Sequence, residues 1–203
     1  GGDYTSLEAC MNANEQNLVT ADKYFDVEID GTWSSADTTA VVIHLYTTDA
    51  TRYINIYTRA TARHNGTAQA VSGLSNYRLN PSAEAIGISV GNQYVTITGI
   101  EILGWSTSSA WYSGILTTTN TVIDKCILHD SPGRTWGIRV GGTSTIIKNT
   151  IIYNLGASSM AVGIHSLYGT STVYNCTVYK CSGNGVTDPA QGYGIWYSRT
   201  VKN

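Results

Sequence analysis

The dipeptide Gly-Ile returns along this chain in the phrases IGISV, SGILT, WGIRV, VGIHS and YGIWY, with the pair at 87/88, 114/115, 137/138, 163/164 and 194/195. The intervals are 27, 23, 26 and 31 residues, regular enough to mark a structural repeat and far too short for a repeated domain. A second column lines up beside it: ITGIEI (97–102), IDKCIL (123–128), IKNTII (147–152) and YNCTVY (174–179). Two columns of short β-runs share nearly one period, with polar turns and no helical segment between them. That pattern predicts a solenoid in which each repeat is one coil. The leucine and asparagine scaffold of leucine-rich repeats is missing, and propeller blades are longer and need four strands each, which leaves an all-β parallel β-helix.

In stacked coils, equivalent residues lie about 4.8 Å apart. Ile88, Ile115, Ile138, Ile164 and Ile195 are therefore expected to form an internal aliphatic ladder. Strand alternation then sends the residue after each Ile outward, so Ser89, Leu116, Arg139, His165 and Trp196 are expected to stack in one outer column. By the same alternation the glycines face outward too, either as the floor of a shallow groove or as relief for a tight bend.

The start of the chain reads differently. Thr5 or Ser6 can cap a helix, Glu8 follows, and Leu7, Met11 and Cys10 share a helical face. The expected organisation is a helical cap over residues 1–20 and a β-helix over 21–203. VKN (201–203) opens a strand that the sequence does not finish, so the coils are expected to continue beyond it. From Phe25 the period becomes two, with Phe25, Val27 and Ile29 on one face, followed by AVVIHLY (40–46) and YINIYT (53–58) as further strands.

Composition narrows the classes of partner. Lys plus Arg number 12 against 14 Asp plus Glu, a net charge of -2 that offers no electrostatic reason to expect nucleic acid or an anionic membrane surface. No apolar run is long enough to predict a membrane span. The aromatic residues are 14 Tyr and 5 Trp against a single Phe, a bias toward rings with a polar edge that suit half-exposed binding surfaces. Cys10, Cys126, Cys176 and Cys181 match no zinc spacing and are expected to be buried thiols, with a Cys176–Cys181 bridge as the alternative.

The phrases GGDYTSLEA, TTDATRYINI, RHNGT and YVTITGIEI resemble right-handed parallel β-helix proteins of the pectin-lyase-like superfamily. TTDATRYI and RHNGT resemble, more narrowly, β-helix proteins of bacteriophage and environmental sequences, of tail-fibre or tailspike type. The resemblance implies a right-handed β-helix and a setting outside the cell or on a virion surface, with cell-surface glycans as ligands. Function does not follow from this fold, which hosts lyases, hydrolases, adhesins and structural rods alike. The calcium-binding Asp cluster with an Arg base of the family's lyases is not evident, and the NTD, DD and GHG strings of its hydrolases do not occur.

Glycoside hydrolysis needs two carboxylates about 5 to 10 Å apart. Glu101, Asp124 and Asp130 are weak candidates, since acidic residues at solenoid turns are usually only solvated. The stronger expectation is a ligand surface of Arg139, His165 and Trp196, widened by Trp136, Trp111 and Trp105, because an aromatic face flanked by donors suits a sugar. His64 sits in an inserted turn, ATARHNGTAQ, where a turn role outweighs a binding one. No metal and no cofactor is expected. The sequence therefore reads as an extracellular or virion-associated glycan- or receptor-binding module that is non-catalytic in this segment, with association as a homotrimer or head to tail supplying avidity. The alternatives are a polysaccharide lyase or glycoside hydrolase, and a structural rod or filament subunit.

Overall fold

A computed structural model describes residues 3–68, 75–106, 112–156, 160–167, 170–182, 192–196 and 200–202. The helix α1, Leu7–Ala13, is capped by Ser6, whose side chain accepts the Ala9 N–H, and a second short helix, α2 (Leu18–Ala21), follows. The strands are β1 (Phe25–Ile29), β2 (Val41–Ile43), β3 (Ile54–Thr58), β4 (Arg78–Leu79), β5 (Ile86–Val90), β6 (Val95–Thr98), β7 (Glu101–Leu103), β8 (Tyr112–Thr117) and β9 (Thr121–Asp124). They continue with β10 (Ile127–Ser131), β11 (Thr135–Val140), β12 (Thr145–Lys148), β13 (Ile151–Leu155), β14 (Ala161–Ser166), β15 (Ser171–Tyr174), β16 (Thr177–Cys181), β17 (Gly192–Trp196) and β18 (Thr200–Lys202).

These strands form three parallel sheets, so the chain is a parallel β-helix. The first sheet is β1-β3-β6-β9-β12-β15-β18, the second β4-β7-β10-β13-β16, and the third β2-β5-β8-β11-β14-β17. Left-handed residues mark the corners between the three sheets. Tyr94, Asn120 and Ser144 lead into the first sheet; Gly99, Lys125, Asn149 and Asn175 separate the first sheet from the second; Gly104, Asp130, Asn154 and Lys180 lie at the end of the second. At the middle corner the ladder of hydrogen bonds is unbroken: the N–H groups of Gly99, Lys125, Asn149 and Asn175 donate to the carbonyls of Asp124, Lys148, Tyr174 and Lys202 on the next coil. Left-handed backbone is costly for most residues, and Gly, Asn and Asp, which bear it best, fill most of these positions.

Ile88, Ile115, Ile138, Ile164 and Ile195 are register partners across β5, β8, β11, β14 and β17, and the first four are fully buried. The expected ladder is therefore present. A matching ladder runs through Ile97, Ile123, Ile147 and Val173. Here the fourth phrase slips by one residue from the sequence alignment, which had begun it at Tyr174. A further Gly-Ile, Gly99-Ile100, is outside the column and forms the middle corner instead.

The glycines correct the sequence reading. Gly87, Gly114, Gly137 and Gly163 are buried, and the space a side chain would need faces the core. A Cβ on Gly137 would stand 2.6 Å from the Ile152 Cγ2 and 2.6 Å from the Gly163 carbonyl oxygen. One on Gly114 would stand 2.7 Å from Leu128 Cδ2. The regular alternation breaks at each glycine, because two consecutive positions turn inward, and the aliphatic ladder of the second sheet fills the vacated volume. The groove-floor reading fails on this geometry: the glycines make room for the next coil's backbone and for side chains of the second sheet.

The N-terminal segment closes one end, as expected. Leu7, Met11 and Leu18 are buried against the core. The Glu8 carboxylate accepts the Val42 N–H at 2.7 Å, satisfying a donor on the edge strand β2, which pairs with β5 on its other side. Tyr46 donates to the Met11 carbonyl at 2.6 Å, and the Leu7 N–H donates to Asp37. All four cysteines are free thiols, Cys126 buried and the others partly so, which favours the thiol reading over the bridge.

Because the glycine volume is shared with the next coil's backbone, Gly137→Ala is expected to lower unfolding free energy by about 2 kcal/mol or more. Gly141→Ala, whose Cβ would meet only the Thr117 carbonyl oxygen at 3.2 Å, is expected to cost clearly less. Chemical denaturation of the two variants side by side checks the difference.

Candidate functional site

The outer column predicted beside the Ile ladder exists in register: Ser89, Leu116, Arg139, His165 and Trp196 face one another across five adjacent strands. Trp136 joins it from one residue before Gly137. Its ring stacks on His165 at 5.6 Å and 13°, His165 stacks on Trp196 at 4.8 Å and 26°, and the Arg139 guanidinium lies 4.8 Å above the Trp136 ring. Four of the five nominated ligand residues thus form one continuous stack along the solenoid axis, and Trp111, the fifth, lies outside the described residues.

Burial divides this stack. Trp136 and His165 are each 3% exposed, so their ring faces are occupied by one another; Arg139 and Trp196 are half-buried and reach the surface. Burial, and then the charge of Arg139, holds His165 below the usual imidazole pKa, so the ring is neutral near pH 7. Trp105 does not widen the platform: it is fully buried, and its indole N–H donates to Thr135 Oγ1 at 2.7 Å. A tryptophan at the corner between two sheets fills the corner, and the sequence cannot distinguish that from display on the outside.

The acidic candidates separate as well. Asp124, on the first sheet, accepts the Asn149 amide at 2.7 Å and faces Lys148 Nζ at 3.6 Å. Glu101 and Asp130 come together on the second sheet through a residue the sequence reading did not nominate. His129 bridges them, with Nε2 2.9 Å from Glu101 Oε1 and Nδ1 2.8 Å from Asp130 Oδ2. Its ring is stacked on Tyr153 at 5.0 Å and 2°, and Tyr153 on the exposed Tyr179 at 5.0 Å and 6°. Asn154 donates to Asp130. Glu101 is 0% exposed and His129 nearly so, which leaves neither able to meet a polymeric substrate at the surface. The cluster ties neighbouring coils together and presents no open acid/base pair.

The electrostatics of the cluster follow from its geometry. Burial alone pulls the His129 pKa down, but hydrogen bonds to Glu101 and Asp130, with their charges, outweigh it and raise the pKa above the usual value. Asp130 feels burial in the opposite sense, yet the bonds from Asn154 and His129 lower its pKa overall. Burial first, and then the charge of Asp130, pushes Tyr153 up to about 12. His64, in the inserted turn, is buried, which lowers its pKa, and its Nδ1 accepts the Gly66 N–H at 3.2 Å as a turn residue would. Among the described residues no group of three or more His, Cys, Asp or Glu is arranged to hold a metal ion.

The two histidines are expected to titrate on opposite sides of the usual imidazole value of about 6.5, His129 above it and His165 below, as read from ring-proton NMR against pH. The raised group stabilises the fold fully below that usual value and loses its contribution as pH rises through its folded pKa. Wild-type stability is therefore expected to fall across that window, and His129→Gln to flatten the profile there. Compared with known protein families, with curated proteins and with solved structures, the chain matches none.

Proposed function

We propose that this chain is a glycan- or receptor-binding β-helix module, extracellular or virion-associated in the manner of a phage tail fibre or adhesin, and non-catalytic in this segment. The observation that carries the reading is the outward stack of Arg139, Trp136, His165 and Trp196. The half-exposed Trp196 indole offers an apolar face to the C–H side of a pyranose, and the half-exposed Arg139 guanidinium, two strands away across His165, offers several donors in a fixed fork to hydroxyls or a carboxylate. Both groups are held on a parallel sheet by buried rings, so little side-chain entropy is lost on binding. Contact at one coil is weak, and association of several copies on a repetitive cell-surface polysaccharide supplies avidity.

The burial of Glu101 and the pairing of Asp124 with Lys148 and Asn149 weigh against a hydrolase or lyase at the nominated carboxylates.

On an array of bacterial surface polysaccharides the intact protein is expected to bind, and Trp196→Ala to weaken that binding about tenfold with the β-sheet circular dichroism unchanged. Absence of binding by the protein and by any trimer it forms removes the basis of this reading. Release of reducing ends or unsaturated uronates from the same polysaccharides replaces it with the enzymatic one.

A further inference from the structure

A different face of the solenoid carries a second surface concavity. On the outside of the first sheet, an open groove of about 410 Å³ runs over β3, β6 and β9, lined chiefly by Tyr53, Asn55, Tyr94, Thr96, Asn120 and Val122. Asn55, Thr96 and Val122 are register partners on consecutive coils and form its floor. Tyr53 and Tyr94 immediately precede the register partners Ile54 and Val95, so they stand at one corner on adjacent coils and form its wall. Tyr24 occupies the same position one coil earlier and stacks on Tyr53 at 5.5 Å and 11°.

We propose that this groove binds a neutral oligosaccharide lying along the solenoid axis, Tyr53 and Tyr94 presenting apolar ring surface and Asn55, Thr96 and Asn120 meeting hydroxyls. The inference takes its ligand class from the proposed function and its residues from a different sheet.

Three features select that ligand. No lining residue is charged, and Arg52, next along the chain, is committed to Asp22 and Asp49 at 2.8 and 3.1 Å, so the groove has no cation for an acidic sugar. Side-chain amides and a hydroxyl beside half-exposed aromatic rings are the combination by which sugars are held, with apolar C–H faces on rings and hydroxyls on polar partners. The floor residues repeat at the coil spacing of about 4.8 Å, close to the length of one pyranose unit, so successive sugars meet equivalent positions. The wall holds one of its rings at a conformational cost. Tyr94 is a left-handed residue at φ 53°, a conformation that a bulky side chain adopts at a cost, while the same corner on the next two coils is Asn120 and Ser144.

The test is titration of the intact, isotope-labelled protein with neutral oligosaccharides derived from mannan, cellulose, starch and galactan, read as residue-specific NMR shifts. At least one is expected to shift Tyr53, Asn55, Tyr94 and Thr96 together. Tyr94→Asn, which suits the left-handed corner as Asn120 does, is expected to fold with undiminished thermal stability and to bind that oligosaccharide at least tenfold more weakly. Wild-type affinity in Tyr94→Asn overturns the groove. Shifts confined to Trp196 and Arg139 also overturn it but leave the proposed function standing, and no shift at any residue with any of these sugars overturns the groove while leaving acidic glycans to the column on the third sheet.

Discussion

The hydrogen atoms that stand in place of side chains at Gly87, Gly114, Gly137 and Gly163 hold the cross-section together. Each leaves a space that an aliphatic side chain of the second sheet enters: Ile102 at Gly87, Leu128 at Gly114, Ile152 at Gly137, Val178 at Gly163. The second and third sheets therefore approach closely, and the Ile that follows each glycine is turned into the same core. Close-packed interiors tolerate little added volume, so the glycine and its aliphatic neighbour are coupled choices on every coil. Register follows from this coupling. A one-residue slip would put a side chain where the next coil's backbone stands, and it would also move every outer residue to the wrong face.

The second constraint is polar. Parallel coils pair their backbones with each other, but charged side chains that are buried still have to find polar partners. Glu101 has no access to water, and an isolated carboxylate there is expensive. His129, one coil later, lies within hydrogen-bond reach, and Asp130 and Asn154 extend the chain of contacts to the surface. Stacked on Tyr153, the imidazole is also fixed in orientation. What a scan for paired carboxylates nominates as possible chemistry is, in the fold, a hydrogen-bonded tie between coils.

The sequence is legible where one residue type recurs at one period and illegible where direction or long-range register decides. The Ile ladder could be read because five isoleucines share one environment. The inward glycines could not, because strict alternation is the only rule a sequence offers and the close approach of the next coil suspends it. The slip at Val173 arose because YNCTVY matches its neighbours nearly as well one residue out of place, and only pairing of Val173 with Ile147 fixes it. The Glu101–His129 contact spans 28 residues and becomes visible only once the coil length is known at that point. The corner positions lie between these cases. Asn149, Asn154 and Asn175 suit a left-handed turn, whereas Lys125, Lys180 and Tyr94 carry no such signal.

Variation is distributed accordingly. Inside, the rungs are Ile, Leu and Val with little else, since each must fill a volume bounded by the coils before and after it. Outside, the column beside the Ile ladder runs Ser, Leu, Arg, His, Trp, and the corner before the first sheet runs Tyr, Tyr, Tyr, Asn, Ser. No packing rule requires either series. An outward position still inherits its spacing from the ladder beneath it, so aromatic rings placed on adjacent coils come into stacking distance without any contact of their own to direct them, as Tyr153 and Tyr179 do at 5.0 Å. A solenoid of this kind thus separates two demands that a compact domain must meet with the same residues: the core sets distances, and the exposed side chains are left to set chemistry.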